Sequence, residues 1–218
     1  MLNIKNLKKT FTNSAKEVFE VINIPEFSLD GNEILAITGD SGSGKTTFLN
    51  LISGIVDSDS GEIIIDQTDI TKLPGSKKDL FRAKNTGYIF QTFNLLQGFT
   101  ALENVMLGMM FSGKADKKIS ETALSKVGLS DKFNSKPSEL SVGEQQRVAI
   151  ARSIVNSPKI LLADEPTANL DPVNSDSVIK IIRSLCEENK ISLILVSHEL
   201  DIVSKFQNVR KFSEINVI

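Results

Sequence analysis

The sequence predicts an α/β fold, a mainly parallel sheet with helices on both faces. Three observations carry this. Apolar runs of strand length alternate with segments of helical periodicity along most of the chain. The runs Ile34–Ile37, Ile160–Ala163 and Ile191–Ser197 are rich in Ile, Leu, Val and Ala, as strands buried on both faces are. The first leads directly into Gly39-Asp40-Ser41-Gly42-Ser43-Gly44-Lys45-Thr46 and then into the helical pattern around Phe48-Leu49-Asn50-Leu51-Ile52.

Taken in order, residues 2–7 alternate apolar and polar and read as a strand, as do residues 18–24. Gly31-Asn32 is a turn before the strand Ile34–Thr38. The first helix ends at Gly54, a C-terminal cap. Gly61–Asp66 reads as a short exposed strand returning to the N-terminal pair, which makes an antiparallel β-subdomain. Residues 76–85 are helical and Thr86–Gln91 is a core strand ending in Gln91. Residues 92–140 are helical in pattern, rich in loops and lysine-rich in the middle. Residues 144–156 form an amphipathic helix with Val148, Ala151, Ile154 and Val155 on one face. Pro172–Glu188 is the next helix, and Ile191–Ser197 the last strong strand. No internal repeat is found. The expected division of residues 1–218 is a core over about 1–91 and 157–218, with 92–156 as an inserted α-helical subdomain.

Size and composition exclude several classes. The 218 residues suffice for one sizeable core and are short for two. A hydrophobic content of 40% with 24% charged residues is that of an ordinary globular domain, which argues against disorder. A net charge of −2 leaves no basic excess to recruit nucleic acid or anionic lipid. The single cysteine, Cys186, excludes an internal disulfide and suits a reducing cytosol. Met1–Lys9 lacks an apolar signal core, and no apolar run approaches the ~20 residues of a membrane span. The chain is expected to be soluble by itself, with any membrane role arising through a partner.

The octapeptide 39–46 fits G-x-x-x-x-G-K-[ST] between a strand and a helix, the context that confirms a phosphate-binding loop. Its glycines let successive N–H groups turn inward around an anion, and the helix beginning near Gly44 adds its positive end. Lys45 is placed to reach the outer phosphates and Thr46 to bind Mg²⁺. The loop thus predicts a nucleoside triphosphate ligand.

A second constellation follows. Ile160–Ala163 ends in Asp164-Glu165, at the carboxyl end of a strand where open parallel sheets bind ligands. Asp164 can hold the Mg²⁺ that Thr46 touches, and Glu165 can orient or deprotonate an attacking water. His198, the only histidine, follows the strand Leu193–Ser197 and could contact the terminal phosphate. The Gln91 amide could ligate Mg²⁺ or water. Leu140-Ser141-Val142-Gly143-Glu144-Gln145-Gln146-Arg147 reads structurally as a helix start, with Ser141 and Glu144 as a capping box. It also reads as a second anion site at a helix N-terminus. One phosphate loop implies one triphosphate per chain, so a second anion site implies a second subunit.

In their order, GDSGSGKT, YIFQ, LSVGEQQR, ILLADEPT, NLD and VSHE give nearly the whole chain a resemblance to the ATP-binding cassette ATPases. The resemblance implies a P-loop NTPase (RecA-like) core with an N-terminal antiparallel β-subdomain and an inserted helical subdomain. It implies a homodimer formed head to tail on ATP binding. ATP and Mg²⁺ would lie between Gly39–Thr47 (Gly39, Asp40, Ser41, Gly42, Ser43, Gly44, Lys45, Thr46, Thr47) of one subunit and Ser141, Gly143 and Glu144 of the other. Glu165 would be the catalytic base, His198 would contact the γ-phosphate, and Gln91 would couple Mg²⁺ and water to a transmembrane partner. The metal contacts implied are Thr46, Gln91 and Asp164. Asn169-Leu170-Asp171 would lie at the seam between subunits, although Asp171-Pro172 is also a good N-cap and N1 pair. Phe11 stands where the family places an adenine-stacking ring, usually tyrosine, and could equally be core. Val142 replaces a usual glycine, while Gly143 is retained.

Phe93–Val105, with the short length and no C-terminal regulatory domain in the sequence, resembles the lipoprotein-release and macrolide-export branch. There the partner is a permease with few spans and a large extracytoplasmic domain. The division-associated ATPase, transmitting force without transport, is the alternative. The expected place is cytoplasmic, peripheral on the inner face of the cell membrane through the permease, with no nucleic-acid partner. Apart from Met1, all methionines fall in Val105–Phe111. Met106 is expected in the core, and some of Phe93, Met109 and Met110 in an apolar groove that receives a permease helix. A GTPase switch is disfavoured because Asn189-Lys190-Ile191-Ser192 lacks the aspartate of N-K-x-D. A chromosome or repair ATPase would need long heptad arms, and a translation-factor cassette protein would carry two cassettes. The cargo is not legible.

Overall fold

The structure, a computed structural model, describes residues 1–113 and 115–218. Its centre is a five-stranded, wholly parallel sheet in the order β6-β7-β8-β3-β9. The strands are β3 (Ile34–Thr38), β6 (Thr86–Ile89), β7 (Ile160–Asp164), β8 (Ser192–Ser197) and β9 (Asn208–Lys211). A second, antiparallel sheet runs in the order β2-β1-β4-β5, from β1 (Leu2–Thr12), β2 (Val18–Leu29), β4 (Ser60–Ile65) and β5 (Thr68–Asp69).

The period-two alternation of the central strands explains the layering. Leu161, Ala163, Leu193 and Leu195 face one cluster, shared with α3 (Ala101–Met110), α4 (Lys117–Lys126), α5 (Val142–Ile154) and α6 (Pro172–Asn189). Ile160, Leu162, Ile194 and Val196 face the other, shared with α1 (Lys45–Ser53) and the antiparallel sheet. Helices therefore cover both faces, as expected for buried parallel strands. Helix α2 (Gly75–Asn85) precedes β6, and the short helices α7 (Leu200–Val203) and α8 (Phe212–Ile215) bracket β9.

Local signals terminate the elements where the sequence suggested. Gly54 caps α1 at φ 68°, donating to the Asn50 and Leu51 carbonyls. Asp171 accepts from the Val173 and Asn174 amides, with Pro172 in the first turn of α6. Two expectations are corrected. The strand expected to end in Gln91 stops at Ile89, because the parallel register with β7 runs out at Ile89 opposite Ala163, and Gln91 lies exposed beyond it. The strand at 61–66 is not exposed on both faces, since Ile63 and Ile65 are buried under β1 and α1. The last strong strand, β8, is followed by a weaker one, β9, which pairs with β3 along the sheet edge. Its alternation of half-exposed and exposed positions carries no strong apolar signal.

Candidate nucleotide-binding and catalytic site

At the carboxyl edge of the parallel sheet, β3 gives way to the glycine-rich loop. The loop turns tightly, with the Ser43 amide donating to the Asp40 carbonyl at 3.2 Å, and takes left-handed backbone at Gly42 (φ 79°) and Gly44 (φ 101°). A Cβ on Gly44 would stand 2.9 Å from the Val21 carbonyl oxygen, so only glycine fits there. Lys45 is buried, and its Nζ donates to the Gly39 and Asp40 carbonyls at 2.7 Å each. An ammonium has three protons, so one stays available to a phosphate oxygen. The Ser43 hydroxyl is buried with no partner, the condition of a group awaiting a ligand atom. The N-terminus of α1 opens onto the same space and favours an anion.

The acids arrive from β7. The Thr46 hydroxyl donates to Asp164 Oδ1 at 3.2 Å. Burial pushes the Asp164 carboxyl above the usual aspartate range; the Thr46 hydrogen bond opposes the shift and the neighbouring Glu165 charge adds to it. Glu165 is buried and holds a left-handed backbone (φ 46°), an uncommon conformation for a side-chain-bearing residue. Its amide donates to the Val196 carbonyl at 3.0 Å, tying the turn to β8. Its Oε1 accepts from the His198 amide at 3.1 Å and lies 2.8 Å from His198 Nδ1. The Gln91 carbonyl accepts from Asn169 at 3.1 Å, which joins the loops after β6 and β7.

These groups enclose one cleft of about 240 Å³, lined by Ser41, Gly42, Gly44, Lys45, Thr46, Thr47, Gln91, Glu165 and His198. Asp164 reaches its floor through Thr46. Gly39, Asp40 and Ser43 border a neighbouring cavity of about 640 Å³. Val21 lines both, and no chemical feature of its strand pattern marks it in the sequence. Among the described residues no three His, Cys, Asp or Glu side chains converge as a metal cage. The donors at hand are a hydroxyl, an amide and one carboxylate. That all-oxygen set suits Mg²⁺, which binds through one or two carboxylates plus phosphates and water.

Ser141, Gly143 and Glu144 do not line the cleft. Ser141 and Glu144 form a complete capping box on α5, with Gly143 between them. Ser141 Oγ accepts from the Glu144 amide at 3.3 Å, and Glu144 Oε2 accepts from the Ser141 amide at 2.8 Å. That backbone N–H, helped by the Ser141 hydroxyl and by Lys132 and Arg147, holds the Glu144 carboxyl below the usual glutamate range. A Cβ on Gly143 would come 2.8 Å from Asn174 Oδ1, so α5 and α6 approach closely at this point. Phe11 is exposed rather than core, with its ring 6.4 Å from that of Phe19 across the β1–β2 pair and Lys9 Nζ 5.4 Å away. It lines neither cavity.

Comparison with known proteins shows the family and the fold. The family described as ABC transporter matches residues 22–168. The chain is 45% identical over 204 residues to the lipoprotein-releasing system ATP-binding protein LolD of Treponema denticola, covering 92% of this chain and 90% of that one. It is 41% identical to LolD of Porphyromonas gingivalis, covering 91% and 90%. Two solved structures of the ATP-binding cassette MJ0796, one a dimer in a post-hydrolysis state bound to ADP and Pi, superpose with a TM-score of 0.88. Each is 32% identical and covers 97% of this chain and 94% of its own.

Proposed function

The chain belongs to the ABC transporter family as an ATP-binding, ATP-hydrolysing subunit, and from that premise we propose that it powers lipoprotein release as an ATP-closed homodimer docked on a membrane permease. The observation that carries the dimer is the incompleteness of the cleft. One chain supplies a phosphate cradle, an acid pair and a histidine, while a second helix N-terminus, at Ser141–Gly143, faces elsewhere. Closing two chains head to tail brings each α5 N-terminus to the other's phosphate loop, so two ATP molecules are held between subunits.

The roles follow from position. The loop amides of 39–46 and the Lys45 ammonium hold the phosphates. Thr46, Gln91 and Asp164 would hold Mg²⁺, which when bound neutralises charge on the transferring phosphoryl group. Glu165 accepts the proton of the attacking water, and its hydrogen bonds to His198 hold the carboxylate in one orientation. An imidazole with one proton cannot donate from both nitrogens. Donation from His198 Nε2 to the γ-phosphate therefore requires a second proton on the ring or release of the Nδ1–Glu165 contact. Phe11, exposed beside the turn of the β1–β2 hairpin, stacks on adenine, as do bases on aromatic rings generally. Ser141, Gly143 and Glu144 act on the opposite subunit's nucleotide. Hydrolysis removes the γ-phosphate contacts that favour the closed state, and the dimer reopens.

For the permease we propose a cavity of about 410 Å³ between α2, β6 and the α3–α5 pair, walled by residues that include Arg82, Tyr88, Phe90, Gly108 and Phe111. Phe111 and Met110 are exposed, whereas Met109 is core, its sulfur 3.5 Å from the Ser120 hydroxyl. Met106 and Phe93 are half-buried against the core cluster. No helix among the described residues is long and apolar enough to cross a membrane. The expected position is the inner face of the cell membrane, held through a permease bearing an extracytoplasmic domain.

The test has two arms. Glu165→Gln should retain ATP binding, lower turnover by about 10²-fold or more, and accumulate dimers on adding MgATP, read by light scattering. Vesicles containing the membrane subunits of the Treponema denticola system, loaded with an acylated lipoprotein, should release it on adding this chain and ATP. Normal turnover by Glu165→Gln removes Glu165 from its role. ATP hydrolysis without release, despite stable binding to the vesicles, removes lipoprotein release.

A further inference from the structure

After β9 the chain turns into α8 and returns against the phosphate loop. Phe212 is buried, with its ring 5.6 Å from that of Phe48 on α1, which meets Phe27 edge-on at 5.3 Å. A Cβ on Gly39 would stand 3.1 Å from Phe212 Cβ, so Phe212 abuts the first glycine of the loop directly. Four residues on, Asn216 is buried and both ends of its amide are used. Nδ2 donates to the Val21 carbonyl at 3.0 Å and Oδ1 accepts from the Asn23 amide at 2.7 Å. The Val217 amide adds a bond to the Asn23 carbonyl at 2.9 Å. The Val21 carbonyl held by Asn216 is the same atom that leaves no room for a Cβ on Gly44. One seven-residue stretch, 212–218, therefore meets the loop's first glycine itself and its last glycine through Val21.

We infer that Asn216 and Phe212 are positioning residues that clamp the phosphate loop from behind. The inference rests on reading 39–46 as the ATP phosphate site. A cradle of backbone N–H groups binds an anion only while those groups converge, and a cradle free to open must be ordered at the moment of binding. Asn216 suits the task because it offers a donor and an acceptor on one short, rigid side chain. It reaches β2, while Asp164, Glu165 and His198 hang from β7 and β8. Loosening the clamp should therefore weaken nucleotide capture and spare the chemical step, which appears as a raised KM with kcat unchanged.

The experiment compares Asn216→Ala and Asn216→Ser with the parent chain. The serine is neutral and keeps a small hydroxyl that cannot span Val21 and Asn23 together, so it supplies a folded variant should alanine impair folding. Both should raise KM for ATP about fivefold, the effect of about one hydrogen bond, with kcat within about twofold. Hydrogen exchange should quicken at residues 39–46 while the β1–β4 amides keep their protection. An unchanged KM in folded variants overturns the inference. So does a joint loss of kcat, thermal stability and protection across the chain, the signature of a general structural tie. Lys45→Ala separates the two levels. If it abolishes ATP binding while Asn216→Ala leaves KM unaltered, the clamp alone fails; if it binds ATP undiminished, the reading of the loop fails and the clamp with it.

Discussion

At the scale of single residues, Asp164 shows what the site costs the empty protein. Its carboxyl is buried, and its one hydrogen bond from Thr46 does not offset the lost hydration, so its pKa lies above the ordinary value. A carboxyl whose folded pKa exceeds its unfolded one favours folding below the unfolded value and loses that contribution as pH rises through the folded one. Above that folded value the nucleotide-free chain carries a destabilising charge there. Asp164→Asn should raise its Tm by a few degrees while abolishing Mg²⁺-dependent hydrolysis, and a melting scan without nucleotide checks the first part. A fall in Tm would mean that the Thr46 bond outweighs burial. Glu165 has the same character in its backbone: the left-handed conformation at a side-chain-bearing residue is held by the Val196 carbonyl and by His198.

At the scale of elements, α5 joins two roles that can be measured separately. Within one chain its N-terminus is closed by Ser141 and Glu144. Ser141→Ala should cost ~1 kcal/mol of folding stability through the lost cap, read by denaturant unfolding without ATP. The same change should also lower ATP-driven dimerisation, a loss the cap does not explain. Glu144 gives the pH dependence. Its pKa is lowered first by the Ser141 backbone N–H, so its stabilising effect is present above the unfolded glutamate value and fades as pH falls through the folded one. Glu144→Gln should flatten that part of the acid limb of the stability curve. The α5 periodicity, the cap and the buried face of Val148, Ala151 and Ile154 were all readable in sequence, because they depend on spacing along one helix. The same holds for α1, where glycine at both ends marks the phosphate loop and the C-cap.

At the scale of the whole molecule, the two clusters on either side of the parallel sheet divide the work. One supports the phosphate loop on α1, and the other supports α5 and the α3–α4 pair that carries the exposed Met110 and Phe111. Phe111→Glu adds a charge to an exposed position and should leave basal ATPase activity within about twofold, since surface changes away from packed sites are mild. It should weaken association with permease-containing vesicles about tenfold or more, as loss of an aromatic anchor does. Full vesicle binding by this variant would move the docking surface elsewhere.

By itself the sequence determined the local patterns: a glycine-rich loop between strand and helix, acids at a strand's end, and a helix closed by a capping box. Each is a local pattern, because glycine torsions, caps and strand ends are set by neighbours in the chain. Tertiary structure decided what depends on distant segments meeting. Gln91 stands beyond its strand because the register with β7 runs out at Ile89. Met109 turns inward while Met110 stays out, because α4 covers only one side of α3. Val21 and Asn216 reach the phosphate loop from opposite ends of the chain, 195 positions apart. No spacing in the sequence records that approach, since it exists only once β2 and the segment after β9 have packed on the same face of the sheet.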